Sequence, residues 1–200
     1  MTTSSLEYTA RGVRKATAAE PIKDRRDIER IKQVLNTPKS QKYYVLFMTG
    51  IYCALRISDI LKLQVKTVKT GYVYIHETKT RKAKQFKINP KLQAILDNWI
   101  AAKNLQDDDY IFYANGHKER HIDESMAYRK IKAAVKSAGV DVHYSNHTLR
   151  KTASYHAYME NGKDITLISH ILNHSSPAVT MAYIGLTQES VDDCLCSLDF

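Results

Sequence analysis

Two periods of apolar spacing divide this chain unevenly, and that division limits its fold. Ile28, Ile31, Val34 and Leu35 recur at helical spacing. Leu92, Ile95, Leu96 and Trp99 do the same after Pro90, which suits the first position of a helix. Strand-like texture is confined to short runs: residues 73–76 and 85–88 read as strands about the polar turn 79–82, and 110–113 as another short strand before Asn115-Gly116. Helices are expected over 24–35, 43–52, 58–63, 90–103, 123–137, 147–161, 164–173 and 177–183, with Asp123 and Asp164 as caps. The expected class is mainly α with one small antiparallel β-sheet (α+β).

Composition narrows the setting. The chain has 200 residues, 44% hydrophobic and 26% charged, which excludes collagen-like, low-complexity and largely disordered classes. No apolar run approaches the ~18 residues of a membrane span; residues 43–55 come nearest and are broken by Thr49 and Gly50. The first residues carry no apolar signal segment. Cys53, Cys194 and Cys196 are too few and badly placed for a disulfide framework. These features predict a soluble cytoplasmic protein.

Charge narrows the partner. The net charge is +9, and residues 62–91 hold nine Lys or Arg against one acid, Glu77. That window is therefore +8, leaving +1 for the rest of the chain. Tyr72, Tyr74 and Phe86 alternate with the charges, so the bases project from a hairpin. A charge this concentrated attracts a polyanion, above all nucleic acid, although a solvated lysine-rich face would have the same composition.

The candidate chemistry is equally selective. His143 and His147 are four apart, as are His170 and His174, but no acid lies between the members of either pair and there is no H-E-x-x-H. No G-x-S-x-G and no phosphate-cradling glycine loop occurs. What remains is basic groups and tyrosines. Phosphodiester transfer without metal needs cations on the non-bridging oxygens, an acid for the leaving oxygen and a nucleophile. Arginine suits the first task through its planar fork. Arg56 and Arg150 lie in apolar-flanked segments, where an unpaired cation is costly. Each could equally pair with a nearby acid, and Asp59 is available to Arg56.

Five segments decide between these readings. GIYCALRISDILKL, TKTRK, HTLRKT, LNHSS and AYIG, in that order from Gly50 to Gly185, resemble the signature of the tyrosine recombinases, the phage integrases and Xer-type enzymes. The nine residues from His174 to Tyr183 match that family's histidine-to-nucleophile interval. The resemblance implies that Arg56 and Arg150 bind the scissile phosphate and that Lys79 protonates the departing 5′ oxygen. It also implies that His147 and His174 assist in proton handling and phosphate binding, that Tyr183 attacks, and that Asp59 orients Arg56. Lys82 or Lys84 could replace Lys79. Lys82, Lys84, Arg81 and Lys87 are expected to contact DNA. Asn173 stands where the family usually has Gly.

The resemblance further implies strand cleavage and rejoining through a 3′-phosphotyrosine with no metal, nucleotide or other cofactor. The partners would be double-stranded DNA and further copies of the chain, as a tetramer on synapsed DNA at the nucleoid. Two other readings share the fold: an idle DNA-binding accessory of a full-length recombinase, and a relaxing enzyme of type IB topoisomerase kind. The expected organisation is a flexible basic tail (1–20), a catalytic domain (21–186) and an acidic amphipathic final helix (187–200) that can dock on a neighbouring protomer. On this reading the chain is a short form without the family's N-terminal DNA-clamping domain.

Overall fold

Capping residues set most of the helices. The computed structural model describes residues 19–79, 81–186 and 196. Residues 1–18 of the expected tail and, Cys196 apart, the expected final helix lie outside the described residues. Asp24 Oδ1 accepts the Arg26 N–H at 2.8 Å and starts α1 (Arg25–Leu35). α2 (Gln41–Cys53) ends at Ala54, a left-handed residue with φ +50°, and α3 (Ile57–Leu61) follows.

Strands β1 (Tyr72–His76) and β2 (Ala83–Lys87) pair antiparallel, Tyr72 opposite Lys87 and His76 opposite Ala83. Asn89 caps α4 (Pro90–Ala102), with Pro at its first turn. A second hairpin, β3 (Tyr113–Ala114) with β4 (His117–His121), was not expected; the described residues hold two small antiparallel sheets, where the sequence suggested one. Asp123 caps α5 (Glu124–Ser137). α6 (Thr148–Glu160), α7 (Ile165–Leu172) and α8 (Pro177–Ile184) complete the described chain; Asp164 and Ser176 cap the last two.

α2 is the centre of the packing. Residues 45–50 are buried in succession, as in a helix surrounded by others, and α2 packs on α6, α4, α1, α3 and α5. Its one mid-helix hydroxyl, Thr49 Oγ1, donates to Val45 O at 2.8 Å, so burying it costs little. Gly50 permits the closest approach to α6: a Cβ there would lie 2.6 Å from Leu149 Cδ1. A satellite core of Ile168, Leu172 and Ile184 joins α7 to α8. Arg150, 2% exposed, sits one residue beyond Leu149 of the main core, and its Nη2 bonds Leu172 O in α7 of the satellite. Among the described residues no helix is long and apolar enough to cross a membrane.

Candidate active site

Buried Arg150 and half-buried Arg56 converge because the chain turns sharply after α2. The left-handed Ala54 turns its carbonyl to Arg150, whose Nη1 donates to it at 2.8 Å; Nη2 donates to Leu172 O at 2.8 Å. Arg56, two residues beyond Ala54, is the N-cap of α3 with its side chain 18% exposed. A guanidinium has five N–H groups, so both arginines keep donors for a further acceptor. Burial lowers the proton affinity of Arg150, with Arg56 acting the same way and Glu77 opposing.

Glu77 is the anion of this cluster, and sequence reasoning missed its role. Its carboxylate is fully buried, with Oε1 at 3.1 Å from Arg56 Nη1 and 3.9 Å from Arg150 Nη1. Asn173 Nδ2 donates to Oε2 at 3.2 Å. Asp59, expected to orient Arg56, places Oδ2 4.0 Å from Arg56 Nη1, and its Oδ1 accepts the Thr78 N–H at 2.8 Å, which ties down the hairpin turn.

That turn carries Lys79. Its ends are joined by Glu77 N–H to Lys82 O and Arg81 N–H to Glu77 O. Lys79 is exposed and lines a cavity of about 310 Å³ together with Arg56, Ser58, Thr78 and His147. Arg81, Lys82 and Lys87 are exposed as well. Lys84 is not on that outer face. Cross-strand partners share a face, and Lys84 lies opposite half-buried Ile75, pointing inward beside Phe86. Its Nζ donates to Ile171 O at 2.7 Å, and burial lowers its pKa to about 8, with Arg150 acting in the same direction. Lys84 thus forms an internal strap from β2 to α7.

The second half of the site comes from α6, α7 and α8. His147 is the N-cap of α6 yet makes no side-chain cap bond; Nδ1 lies 3.4 Å from Tyr183 Oη. Asn173 ends α7 in the left-handed region (φ +54°), a conformation open to Asn as to Gly, so the turn before His174 is kept. Tyr183 is half-buried on α8. The His174 ring meets it edge-on at 4.9 Å, and Lys151 Nζ stands 5.0 Å from its centroid.

His174 Nδ1 bonds Thr180 Oγ1 at 3.0 Å, and Thr180 Oγ1 bonds Ser169 Oγ at 2.8 Å. Ser169 Oγ donates to Ile165 O and Thr180 Oγ1 to Ser176 O at 3.3 Å; with both protons so placed, His174 Nδ1–H is the donor to Thr180 Oγ1. Burial raises the Tyr183 pKa, opposed by Arg150 and Arg56. Burial and then Arg150 depress both His147 and His174. Both imidazoles are thus biased toward the neutral form, in which His147 can accept a proton.

Arg56, Lys79 and His147 line one cavity, Tyr183 meets His147 and His174, and Arg150 shares Glu77 with Arg56. The phage integrase family model matches residues 24–190. The chain belongs to the phage integrase family. It is 37% identical over 172 residues to the probable integrase/recombinase YoeC of Bacillus subtilis (strain 168), across 86% of this chain and 92% of that protein. A tyrosine recombinase of Pseudothermotoga lettingae is 23% identical over 201 residues, covering 99% of this chain and 68% of its own. The fold is similar to that of XerA recombinase (TM-score 0.73, 19% identity, 94% of this chain and 68% of that one). It is also similar to the catalytic domain of bacteriophage HP1 integrase (TM-score 0.58, 20% identity, 89% and 95%).

Proposed function

We propose that this integrase-family chain is a site-specific DNA recombinase that breaks and rejoins strands through Tyr183. The observation that carries the reading is the placement of Tyr183 Oη, 3.4 Å from His147 Nδ1 and near enough to Arg150 and Arg56 for both to act on its charge. Arg56 and Arg150 bind the non-bridging oxygens of one phosphate, and His174 joins them when the phosphate charge raises its proton affinity. Tyr183 Oη attacks phosphorus and its proton passes to His147. The P–O5′ bond breaks, and Lys79 Nζ gives a proton to the leaving oxygen.

The product is a 3′-phosphotyrosine ester that keeps the energy of the broken bond. A 5′-hydroxyl from another strand reverses the steps, so no nucleotide is consumed. Every group invoked is a side chain, and cleavage is expected to proceed in EDTA.

The substrate is duplex DNA, in keeping with the +8 window at residues 62–91. Residues 21–186 form the catalytic domain, protomers assemble as a tetramer on two synapsed duplexes at the nucleoid, and the acidic final segment serves protein contact. Incubation with nicked duplexes from the chain's genomic neighbourhood, which trap the covalent intermediate by losing the 5′ end, tests the chemistry. Sedimentation of the trapped complex tests the assembly.

A further inference from the structure

Both guanidiniums of the proposed site face one buried carboxylate, and that carboxylate sits at the root of the turn carrying Lys79. Glu77 N–H bonds Lys82 O at 3.0 Å and Glu77 O accepts the Arg81 N–H at 2.8 Å, so its backbone closes the turn. Its side chain spans Arg56 Nη1 at 3.1 Å, Arg150 Nη1 at 3.9 Å and Asn173 Nδ2 at 3.2 Å. One residue therefore touches α3, α6 and the turn that leads into His174. A buried carboxylate is expensive unless paired, and two neighbouring guanidiniums repel unless an anion lies between them.

Glu77 is the only acid among the nine bases of residues 62–91. Asn173 occupies a left-handed position that glycine fills without strain, so its amide is not needed for the turn. What the amide adds is the bond to Glu77.

We propose that Glu77 is a positioning residue of the phosphate site: its carboxylate fixes the spacing of Arg56 and Arg150 relative to each other and to the Lys79 turn, and Asn173 holds that carboxylate in place. The inference rests on the recombinase reading and deepens it. Glu77 touches neither the phosphate nor the reacting atoms. Loss of its charge lets the two arginines separate, which costs rate at the chemical step while leaving the other phosphate contacts available.

The test measures single-turnover formation of the Tyr183 adduct, DNA affinity and thermal melting for the parent, Glu77→Gln, Glu77→Asp and Asn173→Gly, all below the lowest melting transition. Glu77→Gln is expected to form adduct about 100-fold more slowly with DNA affinity at least equal to the parent's. Glu77→Asp, which keeps the charge, recovers part of the rate. Asn173→Gly melts close to the parent yet cleaves several-fold more slowly. A duplex with a sulfur-bridged 5′ leaving group, which needs no proton, rescues Lys79→Ala but not Glu77→Gln. Parental cleavage by Glu77→Gln, or its rescue by the sulfur substrate, overturns the inference and leaves the recombinase reading standing. Absence of any adduct from the parent overturns both.

Discussion

Arg150 Nη1 donates to the carbonyl of Ala54 at 2.8 Å, so one proposed phosphate ligand also fastens the chain reversal that presents the other. Removing it leaves two buried carbonyls, Ala54 O and Leu172 O, without that donor and reduces the pairing of Glu77. Arg150→Ala is expected to lose about 3–5 kcal/mol of stability, the range for breaking a buried ion pair. Urea unfolding measures it. A loss below about 1 kcal/mol would show that Arg150 serves substrate alone. Activity lost in this variant therefore needs a stability control before it is assigned to phosphate binding.

Gly50 gives a purely steric prediction. Its hypothetical Cβ meets Leu149 Cδ1 at 2.6 Å and Leu149 Cβ at 2.8 Å, and the second atom is not the far end of a flexible side chain. Gly50→Ala should destabilise by about 1–3 kcal/mol through overpacking, despite alanine's better helix propensity. Pairing it with Leu149→Ala should give less than the sum of the two single losses. Additivity would mean that α2 and α6 do not share this contact.

Lys82 and Lys84 separate by position: Lys82 is exposed in the turn before β2, and Lys84 points inward from the strand. Lys82→Ala should lower the salt slope of duplex binding by about one unit, and Lys84→Met should leave it unchanged. Lys84 also has a pH signature. The folded protein holds its amine near pKa 8, against the ordinary 10.5 retained when unfolded. Between these values the unfolded chain binds more protons, so this residue makes stability rise with pH above about 8. Comparing the melting of parent and Lys84→Met from pH 7 to 10 reads the difference; parallel curves would contradict it.

The histidines set the acid limb. Burial and Arg150 depress His147 and His174 below the ordinary 6.5, so the base on Tyr183 stays neutral at pH 7. The second-order cleavage rate, which reports the free enzyme, should be flat near neutrality and fall at a midpoint below 6.5. Folding follows the same sign: as pH falls below 6.5 the unfolded chain takes up protons that the folded site resists, and stability declines. A midpoint above 6.5 would mean that an acid, and not burial, controls the imidazole.

Much of this was legible in the residues themselves. Asp24, Asp123, Asp164 and Pro177 mark helix starts through local chemistry, and the structure has those starts within a residue. β4 was not legible: His117-Lys118-Glu119-Arg120-His121 has no apolar alternation, and its pairing depends on the turn at Gly116 (φ +79°) and on Tyr110 N–H bonding Lys118 O. In the site, Arg56, Arg150, His174 and Tyr183 are marked by ordered motifs.

Glu77 was hidden because it counted as one negative charge in a basic total. Period two carried the missing signal: Val73, Ile75 and Glu77 share an inward parity, as do Lys84 and Phe86 on the facing strand. A lone acid or base on the inward face of a hairpin is a candidate for internal pairing. The pairing across to Asn173 joins residues 96 apart, which no local pattern encodes.

The central claim is that Tyr183 becomes joined to DNA. Parent and Tyr183→Phe proteins should be incubated in EDTA with a pool of nicked duplexes from the chain's genomic neighbourhood, and any adduct digested and located by mass spectrometry. The expected result is a nucleotide on the Tyr183 peptide of the parent, and no adduct from the Phe variant, which binds DNA as tightly. An adduct on another residue, or one that persists in Tyr183→Phe, would contradict the assignment.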